Sequence, residues 1–215
     1  MIERRRFIRT AGTVLTTAPV GALWAQRQPD CADSPCTAGC GPTRAATEGP
    51  YYVRNVGAAT DINKRGASGK PMRITGVVLG GANGKTPLAN VRVEIWHCDT
   101  EGHHHPNGNG DVSRYKPAQV NLRGLSTTDA KGQFAFDSIV PGIYGTRRRH
   151  LHWRFEAAGH QAVTTQTYWQ SEKGGLRDRT DFADRDVEAC RWLAFTTNPR
   201  GVEEAVFTVA LKTLA

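Results

Sequence analysis

Val91-Arg92-Val93-Glu94-Ile95-Trp96 decides the fold class, because apolar residues recur along this stretch at every second position. A strand with one face on a core shows this alternation. Further segments rich in Val, Ile and Thr are predicted strands at residues 72–79, 151–155, 162–168 and 204–211. The 23 Gly and 11 Pro among 215 residues break the chain at short intervals. The sequence therefore predicts an all-β protein built as a β-sandwich.

The remaining segments predict turns, loops and one short helix. Residues 125–128 and 134–139 flank the turn sequence at 129–132 and are predicted to pair as a hairpin. Residues 99–116, rich in Gly, His and Asn, predict a long loop. The polar segment 177–191 predicts a short helix and a solvated acidic face formed by Asp181, Asp184 and Asp186. Aromatic residues at strand positions are expected in the core: Trp96, Phe134, Phe136 and Trp153.

The first 25 residues have the layout of an export signal. Arg4 and Arg5 precede an apolar pair, and residues 11–24 form an uncharged, weakly hydrophobic run. Small residues at Ala22 and Ala25 provide cleavage points. The layout resembles a twin-arginine signal, which predicts a periplasmic or secreted protein exported after folding. A basic tail or a membrane anchor is the alternative interpretation.

The predicted organisation is a signal at 1–25, a Cys/Pro-rich lead at 26–46 and a β-sandwich domain at 47–215. Three of the five cysteines lie in the lead: Cys31, Cys36 and Cys40. An oxidising compartment favours disulfides for them. A Cys-based metal site is the rival interpretation, but no pair of cysteines has the two-residue separation typical of structural zinc sites. The pairing itself stays open.

The charge balance favours a small-molecule partner over nucleic acid. The formal net charge of +8 falls to +5 without the four Arg and one Glu of the signal. The densest basic cluster, Arg147-Arg148-Arg149, lies beside candidate ligands and belongs to no repeated basic face. We therefore expect no nucleic-acid partner, and the cluster suits an anionic small substrate. The sheet edges of a sandwich are compatible with a homodimer.

Histidines carry the chemical signal. His150 and His152 alternate on a predicted strand, so both imidazoles face the same side and are able to reach one ion. A second cluster, His103-His104-His105, lies in the long loop. Imidazole suits Fe, Cu, Ni or Zn, and a neighbouring Tyr phenolate favours ferric iron. Exposed strand histidines without a metal are the alternative for the pair alone.

At this point the sequence resembles a family, the intradiol ring-cleavage dioxygenases and particularly their small exported branch. The resemblance runs from residue 47 to 170 through TEGPYY, VRVEIWHCD, TTDAKGQFAF, PGIY and HLHWRF, in this order. Its most specific part is PGIYGTRRRHLH, with a Tyr six residues before the first of two alternate histidines. The TDAKGQFAF and PGIY pieces alone also occur in non-enzymatic sandwich domains of the transthyretin and carboxypeptidase-associated types.

The resemblance implies a role for each matching residue. Tyr144 would be the phenolate ligand that leaves ferric iron when substrate binds, and His150 and His152 the imidazole ligands. Arg147 would stabilise the developing ring anion, and Gln166 would lie near the substrate. Tyr51 and Tyr52 would line the substrate mouth. The implied reaction consumes a catechol-type aromatic diol and O2 and breaks the bond between the two hydroxyl-bearing carbons.

One position departs from the family pattern. The family's other Tyr ligand falls at His104 in this sequence, which leaves one anionic phenolate fewer on the metal. Copper, ferrous iron and zinc therefore stand beside Fe(III) as candidate ions. His103, His105 or Tyr115 are the alternatives to His104 as the fourth ligand. An exported β-sandwich that binds copper or zinc through its histidines without ring cleavage is the competing hypothesis.

Overall fold

A computed structural model of the chain describes residues 41–81 and 84–214. The predicted export signal and Cys31, Cys36 and Cys40 lie outside the described residues, as does most of the predicted lead. Among the described residues, Cys98 is a free, buried thiol and Cys190 is disulfide-bonded. Nowhere in the described part of the chain is there a helix with the length and apolar character needed to cross a membrane.

Strands dominate the described chain, as the sequence predicts. They are β1 (Val53–Arg54), β2 (Pro71–Gly80), β3 (Thr86–Pro87), β4 (Arg92–Trp96), β5 (Gly110–Asp111), β6 (Arg123–Thr127), β7 (Gln133–Ile139), β8 (His150–Glu156), β9 (Val163–Trp169), β10 (Trp192–Leu193), β11 (Thr196–Thr197) and β12 (Glu203–Ala210). One short helix, α1 (Leu176–Thr180), lies in the segment where a short helix is predicted.

Two sheets face each other, and a small third pairing lies outside them. The first sheet has the order β10-β9-β8-β4-β6, and the second has β11-β12-β2-β3 with β7 also paired to β2. β1 and β5 form a two-stranded parallel pair. The predicted β-sandwich is therefore confirmed.

The core lies between the inner faces of the two sheets. Leu151, Trp153 and Phe155 alternate along β8 and are fully buried against the second sheet. Phe134 lies 5.8 Å from Trp153 and 5.9 Å from Phe155 between ring centroids, and such aromatic pairs add about 0.5–1.5 kcal/mol each beyond their area burial. The indole N–H of Trp153 donates to Thr167 Oγ1, so this core ring leaves no polar atom unpaired.

Trp96 is buried, but on the opposite side of the first sheet from this core. Its ring stacks on the imidazole of His152, with 4.9 Å between centroids and 10° between planes. Phe134, Phe136 and Trp153 lie in the core as expected. Trp96 instead supports the outer face of the sheet, where the histidines lie.

The hairpin predicted for residues 125–139 is wrong. β6 pairs with β4 in the first sheet, whereas β7 pairs with β2 in the second. The turn at 129–132 thus carries the chain from one sheet to the other. Asp129 Oδ1 accepts from the N–H groups of Lys131 and Gln133, and Gly132 has a φ of +73°. The turn chemistry was readable from sequence, but a tight turn does not fix whether its two strands pair.

We predict that Gly76→Ala destabilises the sandwich. A Cβ at this buried β2 position would lie 2.3 Å from the Phe207 carbonyl oxygen and 2.4 Å from Phe134 Cζ. Overpacking of this kind costs about 1–3 kcal/mol of unfolding free energy. Urea denaturation measures the loss, and Gly57→Ala is the control, since its added Cβ would meet nothing within 4 Å. Equal stability of the two variants would contradict this account of the core.

Candidate active site

The site lies on the outer face of the first sheet, at one level across four strands. Cross-strand pairs join Gln166 of β9 to His152 of β8, His152 to Trp96 of β4, and Trp96 to Arg123 of β6. Each of these four side chains is almost completely buried. Because a sheet face is covered only where loops fold over it, the long connections predicted from sequence form the second wall of the site.

His150 and His152 point their Nε2 atoms at each other. The two nitrogens lie 3.1 Å apart, and the Tyr144 hydroxyl lies 3.1 Å from His150 Nε2. His150 Nδ1 donates to the Arg148 carbonyl oxygen at 2.6 Å, which leaves the Nε2 lone pair of a neutral ring facing the cluster. A backbone carbonyl in this position is the usual orienting partner of a metal-binding histidine.

The ring of His104 completes the cluster from the loop side. Its centroid lies 5.4 Å from that of Tyr144 and 6.3 Å from that of His152. Both nitrogens of His104 are buried and have no hydrogen-bond partner within the described ranges of the chain. Unpaired imidazole nitrogens are costly in a protein interior, so their burial beside two other histidines favours a cation-binding role.

The three alternative fourth ligands lie elsewhere. His105 Nε2 is 2.7 Å from Asp99 Oδ2, and the exposed His103 lies near Asp99 and Glu101. The Tyr115 hydroxyl donates to the Asn109 carbonyl oxygen. Of the candidates raised by the sequence, His104 is the one whose ring contacts both Tyr144 and His152.

Burial keeps the imidazoles neutral. Desolvation lowers the pKa of His150 to about 3 and that of His104 to about 2, and it places the pKa of His152 well below its usual value. Positive neighbours act in the same direction: Arg147 on His150, and Arg123 on His104. Neutral imidazole is the form that binds metals. Burial raises the pKa of Tyr144 to about 12, and nearby Arg147 opposes this rise.

The donor set fits a metal ion chemically. Within the described residues, no group of three His, Cys, Asp or Glu side chains meets the spacing of a metal cluster. The pair of convergent Nε2 atoms is instead joined by a phenol oxygen and by the unpaired ring of His104. Two or three imidazoles with one phenol form a nitrogen and oxygen donor set that suits iron, copper or zinc.

Arg147 and Gln166 form a hydrogen-bonded pair beside this cluster. Arg147 Nη2 donates to Gln166 Oε1, while Gln166 Nε2 donates to the Thr47 carbonyl oxygen at 2.6 Å. The Tyr168 hydroxyl lies 2.9 Å from the same Gln166 oxygen. Both polar atoms of the Gln166 side chain are thus hydrogen-bonded, and its oxygen holds one edge of the Arg147 guanidinium.

The acidic face predicted for residues 181–186 is wrong for two of its three members. Asp181 is buried, and its carboxylate accepts from Arg147 Nε at 2.9 Å and from the Arg148 backbone N–H at 3.0 Å. Asp184 is also buried and makes a bidentate pair with Arg191. Only Asp186 is exposed. Burial would raise the pKa of Asp181, but the Arg148 N–H and the Arg147 charge together hold it below its usual range.

The basic run at 147–149 is therefore not a free cationic patch. Arg147 pairs with Asp181, Arg148 with Asp178 and Asp181, and Arg149 with Glu172. Sequence gave no indication of these partners, because they lie 23–34 residues away.

Tyr51 and Tyr52 diverge from each other. The ring of Tyr51 stacks on His104, with 4.2 Å between centroids and 16° between planes, and meets the edge of the Tyr144 ring. The Tyr52 hydroxyl donates to Glu94 Oε2 at 3.0 Å, and its ring lies on Trp96. The structure thus brings Tyr51 to the cluster and holds Tyr52 one ring farther away.

Comparison with known proteins agrees with this arrangement. Residues 47–187 match the family model described as a dioxygenase. The chain is 31% identical over 149 residues to catechol 1,2-dioxygenase of Acinetobacter baylyi, covering 58% of this chain and 45% of that protein. It is 32% identical over 167 residues to catechol 1,2-dioxygenase 2 of Acinetobacter lwoffii, covering 68% and 58%. The chain thus spans about half the length of these curated relatives.

Solved structures share the fold. The dioxygenase domain of a dioxygenase and carbohydrate-binding fusion from Streptomyces sp. SirexAA-E superposes with a TM-score of 0.65 at 28% identity, over 81% of this chain and 100% of that chain. An intradiol ring-cleavage dioxygenase from Tetranychus urticae superposes with a TM-score of 0.66 at 19% identity, over 82% and 97%. The chain belongs to the intradiol ring-cleavage dioxygenase family.

We predict that Asp181→Asn lowers the unfolding free energy by about 3 kcal/mol at pH 7, because it leaves Arg147 and Arg148 without their shared buried carboxylate. The lowered pKa of Asp181 means that its stabilisation is present above the unfolded carboxyl pKa of about 3.9. It is lost as the pH falls through the lower folded value. The wild-type and variant stabilities should therefore converge in strong acid.

Urea denaturation at pH 7 and at decreasing pH measures both effects. Asp186→Asn is the matched control, because this Asp lies in the same segment but is exposed. An equal loss in the two variants would mean that the buried ion pairs are not what stabilises the segment.

Proposed function

We propose that this protein is a metal-dependent oxidoreductase that cleaves the ring of a catechol-type aromatic diol with O2, between the two hydroxyl-bearing carbons. The observation that carries the proposal is the convergence of His150 Nε2, His152 Nε2 and the Tyr144 hydroxyl beside the Arg147–Gln166 pair. Family membership supports the same reaction class. A metal-storage site would have no use for an arginine held beside its ligands by an amide and a carboxylate.

His150, His152, Tyr144 and His104 are the residues that would hold the metal. Fe(III) is the ion we propose, since a phenolate donor favours a hard trivalent ion, with copper or zinc as the alternatives because His104 adds a neutral donor. When bound, ferric iron would supply Lewis acidity and an electron acceptor to the diol. The raised pKa of Tyr144 means that a phenolate forms here only with a cation next to it.

The protein side chains divide the remaining work. The oxygen of Tyr144 would accept a proton from one diol hydroxyl. The Arg147 guanidinium, held by Asp181 and Gln166, would stabilise negative charge that develops on the ring. Because both partners of Arg147 are themselves buried, its position is fixed before substrate arrives, and no reorganisation is needed during the reaction.

We also propose that the protein acts outside the cytoplasm after twin-arginine export. The paired arginines at Arg4 and Arg5 carry this proposal. The disulfide bond of Cys190 supports it, because such bonds persist mainly in oxidising compartments. A homodimer formed through the sheet edges stays a prediction, which analytical ultracentrifugation tests.

The first test is elemental analysis of protein from its native host, with a visible spectrum recorded before and after catechol is added under air. We expect stoichiometric iron and a phenolate-to-iron band that shifts with catechol, followed by a ring-opened product. Copper or zinc with no spectral response to catechol would instead support the non-catalytic metal-binding protein.

Replacing Tyr144 with Phe should remove the visible band and lower kcat/KM for catechol by at least about a hundredfold, because the variant has no phenol oxygen to bind the metal or accept a proton. Tyr115→Phe is the control and also tests the alternative ligand, since the Tyr115 hydroxyl bonds to Asn109 instead. Retention of band and turnover in Tyr144→Phe would overturn the role of Tyr144. Their loss in Tyr115→Phe would instead make Tyr115 the phenolate ligand.

A further inference from the structure

Arg123 is a buried cation with an unusual set of partners. Its Nε donates to the His105 carbonyl oxygen at 2.7 Å, its Nη2 to the Pro106 carbonyl oxygen at 2.9 Å, and its Nη1 to the Tyr51 carbonyl oxygen. None of these acceptors is a carboxylate. Arg148 and Arg191, which are equally buried, each pair with aspartates.

A buried arginine without a counter-ion is costly, and main-chain carbonyls offset the cost only where the backbone holds them in place. Burial lowers the pKa of Arg123 to about 10, which still leaves it charged at neutral pH. The carbonyls belong to two separate segments, the TEGPYY segment at 47–52 and the histidine segment at 103–106, and farther along the loop the Gly110 N–H also donates to the Tyr52 carbonyl oxygen. Arg123 joins the two segments beside the site, where its three hydrogen bonds reach His105, Pro106 and Tyr51.

The same two segments carry the rings of Tyr51 and His104, which stack on each other. The contacts form a closed circuit: Arg123 holds the Tyr51 backbone, the Tyr51 ring packs on the His104 ring, and the next residue, His105, bonds back to Arg123. We name this circuit the Arg123 clamp.

His104 lacks the kind of hydrogen bond that orients His150. A metal-binding histidine normally donates its second ring N–H to a carbonyl, carboxylate or water, and His150 does so to Arg148. Neither nitrogen of His104 has a partner among the described residues. Ring contacts therefore determine its orientation, and the closest is the stack with Tyr51.

We propose that Arg123 is a positioning residue for His104 and acts through the stacked ring of Tyr51. This inference rests on the metal-binding role of His104 in the proposed function. The Arg123 clamp replaces the missing hydrogen bond: it sets the angle at which the imidazole faces His152 and Tyr144. The Tyr51 hydroxyl has no part in it, since the stack needs only the ring.

The test measures zinc affinity of the metal-free, full-length mature protein by competition with a chelator. We expect Tyr51→Leu and Arg123→Gln each to weaken zinc binding about tenfold, the lower range for lost orienting partners. The double variant should also lose about tenfold, not a hundredfold, because both changes break one circuit. Tyr51→Phe keeps the stack and should bind within about twofold of wild type.

Two further variants complete the design. Arg114→Gln removes an exposed cation from the neighbouring loop and should leave zinc affinity unchanged. In a His104→Ala background, neither Tyr51→Leu nor Arg123→Gln should weaken binding further. Additive losses in the double variant, or losses that persist without His104, would overturn the proposal, because they would show a general effect on folding.

If Arg123→Gln does not fold, two other comparisons still test the proposal. The Tyr51→Phe and Tyr51→Leu pair tests the stack alone, and equal affinities would overturn the proposal. Arg123→Lys keeps the positive charge but has fewer N–H donors. It should weaken zinc binding when His104 is present and have no effect in the His104→Ala background.

The readout separates this inference from the proposed reaction. Zinc affinity needs no turnover, so a clamp that couples to His104 in a protein inert towards catechol would uphold the inference and reject the reaction. If the protein cleaves catechol but its His104→Ala variant binds zinc as tightly as wild type, the reaction is upheld and the inference is rejected.

Discussion

The two-residue period of β8 is the constraint on which the rest of the molecule depends. It places Leu151, Trp153 and Phe155 in the core and His150 and His152 on the opposite face. Because both faces of this strand are buried, polar groups on the outer face need partners. Loops supply them for His150, whereas Nδ1 of His152 has none among the described residues. The Arg148 carbonyl, the Tyr144 phenol and the His104 ring all come from connections that fold over this face. The strand register that builds the core therefore also positions the histidines of the site.

The buried and half-buried arginines around the site fall into two groups, according to whether a carboxylate is their partner. The arginines of the run at 147–149 are each paired with a carboxylate, whereas in the part of the chain that the structure describes Arg123 donates only to main-chain carbonyls. Each arginine–carboxylate pair holds a guanidinium in a fixed place without adding net charge, which suits the proposed substrate-orienting role. Asp181 is central to it, because a single carboxylate accepts from both Arg147 and Arg148. The polar side of the sheet thus forms a network whose members have few alternative positions.

Sequence was sufficient for what depends on local pattern. Alternation and β-branched composition located the main strands, and the two-residue spacing of His150 and His152 placed both imidazoles on one face. The family resemblance added Tyr144, whose hydroxyl converges with them. Long-range pairing was not readable in the same way. The turn at 129–132 has hairpin chemistry, yet its strands join different sheets, since pairing is decided by which edge is free. Asp181 and Asp184 resembled a solvated face because their basic partners are distant in sequence. Arg123 carries no motif at all: its acceptors are carbonyls, which every residue has.

The division between strand-borne and loop-borne residues has an evolutionary consequence. A one-residue slip in β8 would turn both histidines into the core and Trp153 towards the site, so an insertion or deletion there would disrupt fold and site together. His104 is attached to no such register. A change of side chain at that position alters the donor set without disturbing a single strand pair. Within this architecture, the donor set of the proposed metal site is open to change at one loop position, while the strand register holds the imidazole pair in place.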